Sequence, residues 1–195
     1  MTENLVDVKK RIRQQMLRIR KNMPAETRKA ADAAITQGVL QHPDFLAAKQ
    51  IFAYVALPYE VPTREIIEKA LEMGKIVALP VCSVGTHTLT FYRLHSMDEL
   101  RVGEYRIPIP PVTEEGICQP DEETLMILPM TAFDKQGYRL GAGGGYYDRY
   151  LAAHPALKNL GVCYAECSLG EMPRDAFDRR MQACVTEQRT EEFHA

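Results

Sequence analysis

Residues 124–150 read "TLMILPMTAFDKQGYRLGAGGGYYDRY". The first seven form the most apolar short run in the chain, the length of a buried strand. Four glycines follow at 141, 143, 144 and 145, and "YYDRYLAAH" (146–154) then reads as a helix. Glycine costs backbone entropy and packs nothing, so four in five positions imply that something approaches the backbone closely. Successive N–H groups in such a turn can form an anion-binding nest, and the helix start beyond it adds partial positive charge. The familiar spacings are absent. The dinucleotide fingerprint needs glycine at 146, which is Tyr146, and the Walker pattern needs Lys-Ser/Thr after Gly145, where Tyr146 and Tyr147 stand. On spacing alone a phosphate cradle and a purely structural turn both stay open. Arg139 before the loop could pair a phosphate bidentately. Asp148 beyond it suits either magnesium beside phosphate or a helix cap. Tyr146 and Tyr147 could stack on a flat ligand or fill core.

Working outward, "QIFAYVAL" (50–57), "KIVALPVC" (75–82) and "NLGVCYA" (159–165) repeat the pattern of short buried strands. "PTREIIEKALEMG" (62–74) opens on Pro and closes on Gly, the asymmetry of a helix. "TLTFYRL" (88–94) alternates and reads as an edge or antiparallel strand, and "SMDEL" (96–100) as one helical turn. The four prolines of 103–120 predict an irregular crossing. The tail has a short apolar stretch at 183–185 and then turns polar. Upstream, Leu5, Val8, Ile12, Met16, Ile19 and Met23 make one apolar helical stripe. The other faces carry Lys9, Lys10, Arg11, Arg13, Arg18, Arg20 and Lys21. A second helix follows over 23–40, with Pro24 in its first turn, Ala30, Ala33 and Ala34 as its apolar face, and Gly38 interrupting or ending it. The expectation is α/β: a mostly parallel sheet flanked by helices in a Rossmann-like three-layer architecture. One domain spans 1–195, with the helices of 1–48 packed on it. Ligands in such sheets sit at the carboxyl ends of strands, here after 57, 82, 130 and 165.

Composition narrows the function classes. A net charge of −2 argues against wholesale nucleic-acid or membrane binding. No apolar run reaches the roughly 18 residues of a membrane span. The opening "MTENLVDVKKRIRQQ" lacks the apolar centre of a signal peptide, so a cytoplasmic location is the default expectation. Cys82, Cys118, Cys163, Cys167 and Cys184 are odd in number and contain no Cys-x-x-Cys pair, as expected of reduced structural thiols. His42, His87, His95, His154 and His194 show no metal or dyad spacing. Two rivals to an enzyme are a nucleotide-binding module without turnover and RNA binding by the basic helix of 9–21, the latter set against the acidic net charge.

The stretch "FDKQGYRLGAGGGYYDRYL" (133–151) resembles the signature of the 5-formyltetrahydrofolate cyclo-ligases, also called methenyltetrahydrofolate synthetases. The resemblance extends through "KKRIR" (9–13), "LPYEVPTREII" (57–67), "VALPVC" (77–82), "FYRL" (91–94) and "DRRMQACVTE" (178–187), nearly the whole chain. It implies conversion of 5-formyltetrahydrofolate to 5,10-methenyltetrahydrofolate with MgATP, releasing ADP and phosphate. Phosphorylating the formyl oxygen makes it a leaving group, the N10 amine attacks, and phosphate departs, so no side-chain nucleophile is required. It further implies ATP contacts from Lys9, Lys10, Arg11, Ile12 and Arg13 and from Arg139, Leu140, Gly141, Ala142, Gly143, Gly144, Gly145, Tyr146 and Tyr147. Arg13, Val55, Glu60 and positions 142–146 would meet the reduced folate, polyglutamylated forms included. Arg139 and Tyr146 would stand at the reacting groups, and Asp148 and Asp178 would serve Mg2+. The chain departs from many relatives at Ala142, Gly144 and Gln182, where larger or charged residues are common.

Overall fold

The computed structural model describes residues 4–83, 85–103 and 107–193. His194 and part of the 103–120 crossing lie outside them. Helix α1 (Leu5–Asn22) begins where the Asn4 side chain accepts from the Val6 N–H, which satisfies one of the open donors of a first turn. Helix α2 (Ala25–Leu40) is capped by Pro24, which stands just outside the first turn rather than in it. Its buried stripe is Ala31, Ile35, Thr36 and Val39; Ala30, Ala33 and Ala34 face solvent, contrary to the sequence expectation. The larger side chains at i and i+4 take the core and leave the alanines outside. Gly38 does not end the helix. A Cβ there would lie 2.6 Å from Val185 Cγ1, so glycine is the residue that lets α2 approach the sheet. Gly38→Leu is expected to cost about 1–3 kcal/mol by overpacking, read as a lower denaturant midpoint at unchanged m-value.

A short helix α3 (Pro43–Ala47) leads into β1 (Gln50–Phe52). Next come α4 (Arg64–Glu72), β2 (Ile76–Ser83), β3 (Thr88–Leu94) and a 3-10 turn at Met97–Glu99. β4 (Arg101–Val102) stands just before the proline-rich crossing, which itself contains two two-residue strands among its described residues, β5 (Pro108–Ile109) and β6 (Ile117–Cys118). After it run β7 (Thr124–Leu128), β8 (Ala132–Asp134), β9 (Arg139–Leu140), α5 (Tyr146–Ala153) and β10 (Lys158–Val162). A 3-10 turn at Ala165–Cys167, β11 (Ser168–Leu169), β12 (Ala183–Val185) and β13 (Thr190–Glu192) complete the order. The main sheet is ordered β13-β12-β10-β7-β1-β2-β3-β6. Its five central strands are mutually parallel, and β3, β6 and β13 add antiparallel edges. β1 and β7 are buried along their whole length, which is why they read as continuous apolar runs. β13 is polar and half-exposed, and it escaped the sequence reading for that reason. Helices flank the sheet, as expected of an α/β fold. α2 packs against α4 and β12, and α5 against β3. Phe52 and Phe91 stack across the sheet, centroids 4.2 Å apart. Among the described residues no helix is long and apolar enough to cross a membrane.

Two features of this topology position a site. The chain leaves β1 for β2 on one side and reaches β7 on the other, so the crevice between the carboxyl ends of β1 and β7 is the switch point of the sheet. β1 is also shorter than the apolar run suggests. After Ala53 the backbone turns out of the sheet into a loop tied by Tyr54. The Tyr54 hydroxyl donates to Val61 O at 2.8 Å, and Thr63 Oγ1 donates to Tyr54 O. The connection after β7 likewise leaves the sheet. It folds into a small sheet ordered β11-β8-β9 that carries Arg139 to the threshold of the glycine loop.

Candidate active site

A cavity of about 1310 Å3 opens at this switch point. A small-molecule site usually holds roughly 300–1,000 Å3, so there is room for two ligands side by side. The glycine loop forms one wall, the loop after β1 with Val55 and Glu60 another, and α1 contributes Lys9 and Arg13. Asp175, Asp178 and Arg179 close the rim. Most of the sequence-derived site residues therefore converge. Lys10, Arg11 and Ile12 do not line the cavity: Lys10 and Arg11 are exposed, and Ile12 packs on the core.

The loop is built from backbone. Gly143 and Gly145 adopt φ of 113° and 65°, where L side chains are strained. A Cβ on Gly144 would lie 2.7 Å from the Tyr146 ring. Arg13 Nε donates to Gly141 O at 2.8 Å and pins the loop to α1. From the opposite side Arg149 donates to Gly144 O and to His87 O, the latter at 3.0 Å, while its guanidinium stands 5.5 Å from the Tyr146 ring centroid. Arg149 has no place in the sequence reading, and His87 enters it only as one of five histidines without metal or dyad spacing.

At the foot of the loop Arg139 is 5% exposed. Its Nη1 donates to Asp148 Oδ1 at 2.9 Å and to Arg179 O at 3.3 Å. Asp148 Oδ1 also accepts from Arg179 N at 3.0 Å. The buried Nε of Arg139 has no hydrogen-bond partner among the described residues, a donor that suits an added anion. At the rim Lys9 Nζ bridges Asp178 Oδ2 at 2.6 Å and Asp175 Oδ2 at 2.9 Å. Burial pulls the Lys9 pKa down, and the bonds to Asp178 and Asp175 more than reverse that, so it stays above the ordinary lysine value. Asp175 carries no role in the sequence reading. Its acidic spacing with Asp178 in "RDAFDRR" was the available signal.

On the wall formed by the loop after β1, Glu60 Oε2 accepts from Leu57 N at 2.8 Å. Burial raises its carboxyl above the usual range, opposed by that N–H and by the positive charge of Arg20. Tyr147 is half-buried, and the desolvation of its phenol pushes the pKa far up and keeps it neutral. The departure at Gln182 lies away from the cavity. Its Oε1 accepts from Asn159 N at 2.9 Å while its own N–H donates to Asn159 Oδ1, so it links β10 to the approach of β12. Ala142 and Gly144 sit exposed in the loop.

For magnesium the donor set is sparse. No cluster of three or more His, Cys, Asp or Glu exists among the described residues. Asp148 and Asp178 each commit one oxygen to the contacts above and have a second. That fits an ion held mainly by phosphate oxygens with one or two carboxylates, and not a self-sufficient protein site.

A family model described as "5-formyltetrahydrofolate cyclo-ligase family" matches residues 6–187. The chain is 30% identical to the 5-formyltetrahydrofolate cyclo-ligase of Escherichia coli (strain K12), covering 84% of this chain and 91% of that one. It is 29% identical to the Haemophilus influenzae enzyme of the same description, over 87% and 92%. Among solved structures, the 5,10-methenyltetrahydrofolate synthetase of Aquifex aeolicus superposes with a TM-score of 0.81 at 30% identity, covering 96% and 94% of the two chains. The Mycoplasma pneumoniae synthetase shares the fold at a TM-score of 0.73 and 21% identity, over 92% and 98%.

Proposed function

This chain belongs to the 5-formyltetrahydrofolate cyclo-ligase family, and we propose that it cyclises 5-formyltetrahydrofolate to 5,10-methenyltetrahydrofolate with MgATP as phosphoryl donor. One observation carries the reading: the glycine loop and Glu60 line the same cavity. An anion cradle and a carboxylate for a ring donor edge thus share one space, as transfer from ATP to a folate oxygen requires. The backbone N–H groups of residues 141–145 and the orphan Nε of Arg139 take the phosphates. Lys9 and Arg13 supply charge from α1, and Arg13 also borders the folate. Glu60 accepts the paired N–H groups of the pterin, with Val55 as apolar contact beside it. Tyr146 and Tyr147 wall the junction between the two ligands. Arg139 and Tyr146 stand nearest the moving phosphoryl group, where fixed donors stabilise developing charge. Asp148 and Asp178 would hold magnesium, which when bound neutralises charge on the transferring group. With Asp148 so engaged, Arg139 still orients it. Reduced folates, polyglutamylated forms included, are the substrate class, and the reading places the protein in the cytoplasm.

The test is turnover. The protein is mixed with 5-formyltetrahydrofolate and MgATP, and methenyltetrahydrofolate is followed by its absorbance. Product that requires both ATP and magnesium is the expected result. Product formed without ATP would overturn the proposed donor, and none under any condition would overturn the reaction.

A further inference from the structure

The run of basic residues on α1 hides two that are not on the surface, Lys9 at the rim of the cavity and Arg20. Arg20 is 4% exposed. Its Nη2 donates to Met130 O at 2.7 Å and Thr131 O at 2.8 Å, its Nη1 to Tyr59 O at 3.4 Å. Nε and Nη2 reach the sulfurs of Cys167 and Cys163 at 3.4 and 3.3 Å. Three segments therefore meet on one guanidinium: the loop after β1, the connection after β7, and the turn after β10. The first two are the banks of the switch-point crevice. Burying a cation is expensive, and a Leu or Met would fill the space without that cost. The Cys167 thiol, its pKa lowered to about 6 by its bond from Cys163 and by Arg20, offsets part of it, but pairing with one thiol does not require a fork that reaches three separate loops.

We propose that Arg20 is a positioning residue, clamping the two banks of the crevice so that the 57–60 loop presents Glu60 to the pterin at a fixed distance from the phosphate cradle. This deepens, and rests on, the reading of Glu60 as the folate's carboxylate. The fork geometry matters because the banks are separate loops with no strand pairing at that level. Tyr59, whose carbonyl is held, sits at a φ of 71°, a strained conformation that the neighbouring residue Glu60 inherits as a fixed exit direction. The charge matters as well. The groups facing Glu60 are Arg20 from α1, the Leu57 N–H of its own loop, and the hydroxyls of Tyr54 and of Tyr147 on α5. Arg20 is the cation among them, and it opposes the effect of burial on the Glu60 carboxyl.

Charge and fork separate by substitution. Arg20→Lys keeps the charge and loses the fork, and Arg20→Gln keeps a donor and loses the charge. Both are expected to raise KM for 5-formyltetrahydrofolate about tenfold, with KM for ATP nearly unchanged. Without the opposing cation the Glu60 pKa rises, so its ionised form is lost at a higher pH. The acid limb of kcat/KM for folate therefore moves upward in Arg20→Gln by roughly a unit and stays in place in Arg20→Lys. A merely structural Arg20 would change both substrates' constants together and leave the limb where it was, which overturns the proposal. Glu60→Gln separates the two levels of the argument. If it leaves the folate KM untouched, the reading of Glu60 fails. If it raises that KM while both Arg20 variants match the parent, the Arg20 assignment alone fails. Hydrogen exchange of the unsubstituted enzyme covers the case of poorly folding variants. The Glu60 amide, bonded to Leu57 O at 3.0 Å, is expected to be as protected in the free enzyme as with folate bound. Free exchange without ligand would show that no clamp exists.

Discussion

Gly143→Val is expected to abolish detectable ATP binding and to lower kcat/KM by at least about a hundredfold, with the protein still folded. The backbone at 143 has φ of 113°, a region that a β-branched residue reaches only under strain of about 1–3 kcal/mol. The new side chain would also meet Arg13, whose Cζ lies 3.4 Å from a Cβ built there. Arg13 is the residue that pins Gly141 O, so the substitution loosens the loop at its other anchor too. Residues 142–144 are exposed and leave the core untouched, so the thermal midpoint should stay near that of the parent. Gly143→Ala, smaller but at the same φ, should fall between the two. Calorimetric titration with ATP is the direct measurement, and normal affinity in the valine variant would remove the loop from the phosphate site.

Arg139→Met should fail differently, losing activity and stability together. The side chain of Arg139 is 2% exposed and that of its partner Asp148 is 19% exposed, so the pair is poorly screened. Removing the cation strands a carboxylate that keeps only the Arg179 N–H, at a cost of about 3 kcal/mol. The orphan Nε disappears with it, and with it a donor to the phosphate, which should lower kcat by about 10^3-fold. Denaturant unfolding reads the first effect and kcat at saturating ATP the second. Asp148→Asn in the Arg139→Met background should recover most of the stability and none of the rate, since it removes the stranded charge but also a proposed magnesium ligand. Recovery of rate would remove both residues from the chemistry.

Much of this fold was legible because its parallel strands are buried on both faces and so read as apolar runs, TLMIL of β7 above all. The glycine loop announced itself because four glycines in five positions are conspicuous after a buried strand, although spacing alone left a structural turn open beside a phosphate cradle. What stayed hidden was short or locally ambiguous. β8, β9 and β11 have two or three residues each and owe their pairing to tertiary contact, which no local period encodes. Ala30, Ala33 and Ala34 suggested a packing face because alanine is apolar, yet Ile35 and Val39 have more apolar surface to remove from water and are the residues that are buried. Arg20 lay in a run of seven basic residues, where a solvated charge is the ordinary reading, and only the tertiary fold shows that it points inward. Lys9 and Arg13, which line the cavity, were singled out only through the family resemblance, since helical spacing alone equally suits a solvated face.

The contact between Lys9 and Asp178 joins residues 169 positions apart, and the contact with Asp175 spans 166. The rim of the site thus closes only when the 175–178 segment meets α1. Contacts of such separation are entropically late, because the loop must be closed before they reward it. During synthesis, the glycine loop and the parallel strands up to β10 can assemble while the 175–178 segment is still emerging. A nascent or truncated chain would hold a nearly finished sheet and an open rim. Competence for catalysis is therefore coupled to arrival of the 175–178 segment, and in refolding, activity should return after secondary structure has already been regained.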